Sequence, residues 1–216
     1  MSDNKLIINF KAYEEASGEK AYNLSKSISS LNCSENIIVA PDLVDTSKVS
    51  ELDLKVYSQH VDGKNPGSNT GSITAQSLEA SHVKGALINH SERRLPDEDI
   101  EDSLEACKDY NLETVVCAQD IDEVEKYSEL NPDAVAFEPP ELIGGDIPVS
   151  KAEPEIIEKA VEKTAEGVDT LTGAGIKTSR DVEKSIELGC KGVLVASGVV
   201  KSDNPTKKAK ELCEGL

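Results

Sequence analysis

The sequence predicts an α/β chain folded as a (β/α)8 barrel, with residues 1–216 forming a single domain. Three observations predict it. Short apolar runs recur along the chain, each is followed by polar or glycine residues and then by a stretch of helical periodicity, and eight such units fit in the length available. The mean spacing of the runs is about 27 residues, close to the ~30 of a strand with its crossover helix. An open doubly wound sheet alternates in the same way, so alternation alone does not choose between the two. Eight units in roughly 200 residues suit the closed barrel at the compact end of its range.

In chain order the runs are Leu6-Ile7-Ile8, Ile37-Ile38-Val39-Ala40, Val56-Tyr57, Gly85-Ala86-Leu87-Ile88, Thr114-Val115-Val116-Cys117, Ala134-Val135-Ala136-Phe137, residues 168–171, and Val193-Leu194-Val195-Ala196. They are apolar throughout rather than alternating, which predicts strands covered on both faces and therefore paired in parallel. Amphipathic helices are expected over residues 17–31, 96–110, 121–130, 153–165, 179–188 and 204–213. Pro96 followed by Asp97, Glu98 and Asp99, and Ser179 followed by Asp181 and Glu183, put carboxylates where a helix dipole favours them. Gly189 after Leu188 predicts a helix stop. The Gly/Ser/Asn-rich stretch 62–71 reads as a loop after the third strand.

Charge narrows the function. There are 41 Asp and Glu against 23 Lys and Arg, a net charge of −18. A nucleic-acid partner is therefore not expected, because phosphate backbones are bound by neutralising them. The same charge is self-repelling unless salt screens it, and adaptation to high salt is one explanation of it. No apolar run reaches the roughly 18 to 20 residues of a membrane span, and the start lacks the apolar stretch of a secretory signal, so no membrane partner and a cytoplasmic location are expected. Cys33, Cys107, Cys117, Cys190 and Cys213 are odd in number and widely spaced, which argues against a disulfide framework or a zinc site. They read as reduced thiols, mostly in the core.

Polar residues at the C-terminal ends of barrel strands form the active face. Here those ends supply Asn9-Phe10-Lys11, Asn89-His90-Ser91-Glu92-Arg93-Arg94, Glu138-Pro139-Pro140, Gly173-Ala174-Gly175 and Ser197-Gly198. Glu138 at the mouth of an apolar barrel is a candidate base, its basicity raised by partial desolvation; the alternative is a helix-start carboxylate facing water. The loop Glu141-Leu142-Ile143-Gly144-Gly145 has the apolar tip and glycine hinges of a lid. His90 is placed to polarise a carbonyl oxygen. Glu92 either orients groups in the site or pairs with Arg93 or Arg94. Lys11 is either a solvated cation or a local positive charge that attracts an anion which the net charge would repel. Two glycine turns on consecutive strands offer main-chain N–H groups to a phosphate. His60 and His82 lack such a setting and read as structural.

Taken together, Asn9-Phe10-Lys11, Asn89-His90-Ser91-Glu92-Arg93-Arg94, Ala136-Phe137-Glu138-Pro139-Pro140-Glu141-Leu142-Ile143-Gly144, Gly173-Ala174-Gly175-Ile176 and Val195-Ala196-Ser197-Gly198 resemble the triosephosphate isomerase family over nearly the whole chain. The short length, Phe10 and the Pro-Pro-Glu-Leu-Ile-Gly lid are similar to its archaeal branch. The resemblance implies a TIM barrel that interconverts dihydroxyacetone phosphate and D-glyceraldehyde 3-phosphate in glycolysis and gluconeogenesis. Glu138 would move the proton, neutral His90 would polarise the oxygens, and Lys11 would stabilise the enediolate and the phosphate. Asn9, Phe10, Lys11, Ile143, Gly175, Ala196 and Ser197 match substrate-binding positions, with Glu92 in support. The resemblance also implies no metal or organic cofactor, and a homotetramer, with a homodimer as the alternative.

One departure stands out. After Ile143-Gly144 relatives show Thr-Gly, whereas this chain has Gly145-Asp146. The extra glycine should loosen the lid, and an inward Asp146 would repel the substrate phosphate. The runner-up activities are those of other phosphate-binding barrels, such as pentose-phosphate epimerases and indole-pathway phosphosugar enzymes. A catalytically silent metabolite-binding or assembly barrel is the reading from a different class.

Overall fold

The computed structural model describes residues 4–139, 154–173 and 175–216. The expected apolar runs form eight strands: β1 Lys5–Asn9, β2 Ile37–Ala40, β3 Lys55–Ser58, β4 Gly85–Ile88, β5 Glu113–Ala118, β6 Ala134–Phe137, β7 Asp169–Thr172 and β8 Gly192–Val195. They pair in parallel in chain order, and β8 returns to β1 through Leu6 opposite Val193 and Ile8 opposite Val195, which closes the barrel. The choice between an open sheet and a barrel is thereby made.

Successive side chains on a strand point to opposite faces, and the two faces have separate destinations. Ile7, Ile38, Tyr57, Leu87, Val115, Ala134, Ala136, Leu171 and Leu194 point inward and fill the barrel. Leu6 and Ile8 point outward to one helix layer. Ala86, Ile88, Val135 and Phe137 point outward to another. Runs without polar alternation are the sequence form of strands buried on both sides.

The outer layer comprises α1 Glu19–Ser29, α2 Leu43–Val49, α3 Ala75–Ala80, α4 Asp97–Asp109, α5 Ile121–Ser128, α6 Pro154–Lys163, α7 Ser179–Glu187, α8 Ser197–Val200 and α9 Pro205–Cys213. Helical periodicity predicts α1, α4, α5, α6, α7 and α9 to within two residues at each end. It does not predict α2 and α3, whose seven and six residues hold too few turns to establish a stripe. Their caps are local nonetheless: the Asp42 carboxylate accepts the Val44 N–H, and the Thr74 hydroxyl accepts the Ser77 N–H. At α7 the cap is Thr178 rather than Ser179, and Thr178 and Asp181 form a reciprocal capping box. Gly189 follows α7 with φ of 100°, the left-handed stop expected there.

Under the strand starts lies a band of ion pairs. Lys5 Nζ is 2.8 Å from Asp169 Oδ2, Lys55 Nζ is 2.8 Å from Glu113 Oε1, and the Tyr57 hydroxyl donates to Glu113. Burial pushes the Tyr57 phenol far above its ordinary value, and the Glu113 carboxylate beside it raises it further. The five cysteines are free thiols; Cys107, Cys117, Cys190 and Cys213 are buried and Cys33 is half-buried. His60 is buried with Nε2 3.1 Å from Asp62 Oδ1, while His82 is exposed; neither lines the cavity at the strand ends. Among the described residues no helix is long and apolar enough to cross a membrane.

Candidate active site

At the C-terminal ends of the strands a cavity of about 340 Å³ is lined by Asn9, Lys11, Tyr13, His90, Glu92, Glu138, Gly173, Gly175, Ile176, Lys177, Leu194, Val195, Ala196, Ser197 and Gly198. Two hollows of about 730 and 750 Å³ lie at the opposite end of the barrel and share Asn111 and Glu113. The smallest of the three is the one that gathers the site candidates.

Lys11 is delivered by the end of β1. The Asn9 side chain accepts the Lys11 N–H at 2.9 Å, and Lys11 adopts φ of 48°, a left-handed conformation costly for a residue with a Cβ. Gln59, just past β3, compensates by donating to the carbonyls of Lys11 and Ala40, each at 3.0 Å. The ammonium group then reaches Glu92, 81 positions away, with Nζ 2.8 Å from Oε1. The Lys11 side chain is only 15% exposed against 62% for Glu92, so the pair spans from the cavity to solvent.

His90 stands one residue beyond the turn that ends β4. Its Nδ1 accepts the Glu92 N–H at 3.1 Å, so Nδ1 carries no proton and the neutral ring carries its proton on Nε2. Burial lowers the imidazole to about 4, the Lys11 charge lowers it further, and Glu92 opposes both. Near neutral pH this ring is an uncharged donor. Nε2 lies 3.7 Å from Glu138 Oε1. That is too far for a hydrogen bond between them and leaves both groups free for a third.

Glu138 follows β6 and its N–H donates to the Ala118 carbonyl at 2.8 Å. It is 4% exposed, and Oε2 is buried without a hydrogen-bond partner. Burial raises the carboxyl to about 7 against the opposing pull of the Cys117 thiol and the Lys11 charge. Of the two sequence readings, a base at the mouth and a carboxylate facing water, burial removes the second. Gly173 on the neighbouring strand end makes the position possible: a Cβ there would fall 2.3 Å from Glu138 Cγ and 2.9 Å from Cδ and Oε1. The sequence suggests only an anion-binding turn at Gly173; its observed role is to clear space for the carboxylate.

On the far wall, Gly175 has φ of 71°, Ala196 precedes α8 with φ of −138° and ψ of −97°, and a Cβ on Gly198 would come within 3.2 Å of the Ile176 carbonyl. Close main-chain approach is what a phosphate-binding wall requires. Lys177 lines this side, and Lys201 Nζ sits 4.2 Å from the centroid of the Tyr13 ring.

One expectation needs correction. Phe10 does not line the cavity; it is fully buried in the apolar layer with Ile8, Ala16, Ile176 and Val199 and packs beneath the site. Of the two readings of Glu92 the one inside the site stands: it pairs with Lys11 rather than with Arg93 or Arg94, and Arg94 turns to Glu123 on α5. Ile143, Asp146 and the rest of the expected lid lie outside the described residues, as does Ala174. Sequence reasoning also missed Gln59 and Cys117, and it placed Asn89 at the rim without giving it a role of its own. Their positions at strand ends were the available signal; their partners are 19 to 48 residues distant or, for Cys117, on the next strand. Among the described residues no group of three or more His, Cys, Asp or Glu is placed to hold a metal ion.

Comparison with known proteins agrees with this geometry. The family model described as triosephosphate isomerase matches residues 4–214. A protein of Methanocaldococcus jannaschii with that name is 43% identical over 213 residues, covering 96% of this chain and 97% of the relative. Its counterpart from Archaeoglobus fulgidus is 44% identical, covering 96% of each, and that from Saccharolobus solfataricus is 42% identical, covering 95% and 93%. On a closed eight-stranded barrel, with these side chains at its mouth and relatives matched almost end to end, the chain belongs to the triosephosphate isomerase family.

Proposed function

We propose that this protein interconverts dihydroxyacetone phosphate and D-glyceraldehyde 3-phosphate, with Glu138 as the base, His90 as a neutral electrophile and Lys11 as the cation that holds the developing negative charge. The observation that carries the reading is the His90–Glu138 pair: 3.7 Å apart, almost completely buried, one kept uncharged near neutral pH and the other brought to about 7. A base near the working pH and a neutral donor are what proton abstraction beside a carbonyl requires.

Starting from the ketone, Glu138 takes a proton from the hydroxymethyl carbon. The C–H electron pair becomes the carbon–carbon double bond, and the carbonyl electrons move onto oxygen. His90 Nε2–H donates to that oxygen, and the Lys11 ammonium stabilises the enediolate. Protonated Glu138 returns the proton to the neighbouring carbon, and the hydroxyl proton passes between the two oxygens by way of His90. Asn9 supports the oxygen contacts; Ile143, Gly175, Ala196 and Ser197 bind the substrate, the last three on the phosphate side. Water must be kept out, because an exposed enediolate phosphate expels its phosphate group. No metal or organic cofactor takes part, since only protons move.

The reading extends to a role in glycolysis and gluconeogenesis, a cytoplasmic location, residues 1–216 as one domain, and a homotetramer with the homodimer as the alternative. The test is a coupled assay of triose phosphate interconversion in both directions, with Glu138→Gln alongside. The wild type is expected to turn over and the variant to lose about 10³-fold or more in kcat. Equal rates would end the base assignment, and an inactive wild type that still binds triose phosphate would point to the silent barrel.

A further inference from the structure

We propose that Asn89 is a positioning residue which registers the imidazole of His90 against the carboxyl of Glu138 by bridging the ends of β4 and β5. The inference rests on the proposed proton-transfer role of that pair and adds a residue to which the sequence assigned none.

The β4–β5 ladder runs as far as Ile88 opposite Val116. At the next residue, Asn89, φ is 64° and the main chain leaves the ladder in a left-handed turn. Asparagine tolerates this region better than most residues with a Cβ. Tolerance of the turn does not account for the side chain, which is 1% exposed and doubly engaged. Nδ2 donates to the Cys117 carbonyl at 3.0 Å, so a side-chain amide continues the ladder where the main chain has turned away. Oδ1 accepts the Leu95 N–H at 3.0 Å and ties the far end of the loop back to its beginning.

Residues 89–95 thereby form a closed loop around His90. Within it the His90 carbonyl accepts the Arg93 N–H at 2.7 Å, and Nδ1 accepts the Glu92 N–H. The ring is fixed to the loop, and the loop is fixed to β5 through one amide. That same strand end holds the base: the Glu138 N–H donates to the Ala118 carbonyl at 2.8 Å, and the Cys117 thiol beside the carboxyl draws its titration down against the effect of burial. His90 and Glu138 are thus referred to two adjacent residues, Cys117 and Ala118, and Asn89 is the link on the histidine side. Misplacement of a reacting group by about 1 Å costs up to ~100-fold in rate.

The turn and the bridge are separable. Asn89→Gly keeps the left-handed turn and removes both side-chain bonds, whereas Asn89→Asp keeps an acceptor for Leu95 and loses the donor to Cys117. For each folded variant, kcat and KM are measured in the coupled assay, and the His90 tautomer is read from imidazole ¹⁵N shifts of the free protein. Asn89→Gly is expected to lower kcat by about 10- to 100-fold, to leave KM within about twofold, and to replace the single Nε2–H tautomer with a mixture. Asn89→Asp is expected to follow in the same direction and serves if the glycine variant does not fold. A variant that melts earlier but keeps wild-type kcat per folded molecule and the wild-type tautomer would overturn the proposal and leave Asn89 merely structural. The tautomer is read without turnover, so failure of the isomerase reading appears in the wild-type assay and failure of the positioning role in the spectrum.

Discussion

His90 Nε2 and Glu138 Oε1 face each other across 3.7 Å, and their surroundings displace the two titrations in opposite directions, the imidazole to about 4 and the carboxyl to about 7. Desolvation is the principal cause for both. The same low-polarity pocket disfavours the imidazolium and the carboxylate alike, because burial opposes whichever form is charged.

The activity of the free protein should therefore rise with pH through about 7 as Glu138 loses its proton, with no inflection from His90 near 6.5. The measurement is kcat/KM from about pH 5 to about 9, corrected for titration of the substrate phosphate, with His90 followed by ¹⁵N NMR. A protonated His90 at pH 6 would contradict the assignment.

Stability should show the cost of the raised carboxyl. Glu138 binds its proton more tightly in the folded chain than in the unfolded one, so its contribution is fully present below the unfolded value of 4.5 and is lost as pH rises through about 7. Above that pH the native state carries a buried carboxylate at a cost of about 3 kcal/mol. Glu138→Gln should accordingly be more stable than the wild type at pH 8, the advantage shrinking toward pH 4. Denaturant unfolding at the two pH values checks this, and a variant less stable at pH 8 than at pH 4 relative to wild type would reverse the sign.

Gly173→Ala should disable the site without unfolding the barrel. The new methyl would overlap Glu138 Cγ at 2.3 Å, and the buried carboxylate has to swing aside. A fall in kcat of about 10²-fold or more, with a native circular dichroism spectrum, is the expected result. Undiminished turnover would mean that Glu138 need not occupy the position described.

Monovalent salt should stabilise the protein. With a net charge of −18, self-repulsion outweighs the gain from the surface ion pairs, and screening relieves it. The melting temperature should rise between about 0.05 M and about 1 M KCl. A fall over that range would place the balance with the ion pairs instead.

The sequence made legible whatever is local in the chain. Strands buried on both faces wrote themselves as unbroken apolar runs, and the polar residue after each run named Asn9, Lys11, His90 and Glu138 as rim candidates. What it left obscure depends on closure of the barrel. Glu92 has two arginines beside it in sequence, yet its partner is Lys11, which only the β1–β4 side of the ring brings within reach. Gly173 reads as half of a Gly-Ala-Gly turn until β6 and β7 are paired and Glu138 is found against it. Phe10 looks like a rim residue because it lies between two, but it continues the alternation of β1 and falls on the side of Leu6 and Ile8, facing the helix layer. The short α2 and α3 carry too little periodicity to register.

The ion pairs beneath the strands, with the packed layer of Ile7, Tyr57, Leu87 and Leu171 above them, act as a floor. Among the described residues, the cavity that gathers the site candidates opens at the other end. Persistence and turnover are thus assigned to opposite storeys of the same cylinder. Substitutions at Lys5, Glu113 or Asp169 should surface as altered lifetime of the fold, and rim loops can be exchanged during engineering while the basement is left untouched.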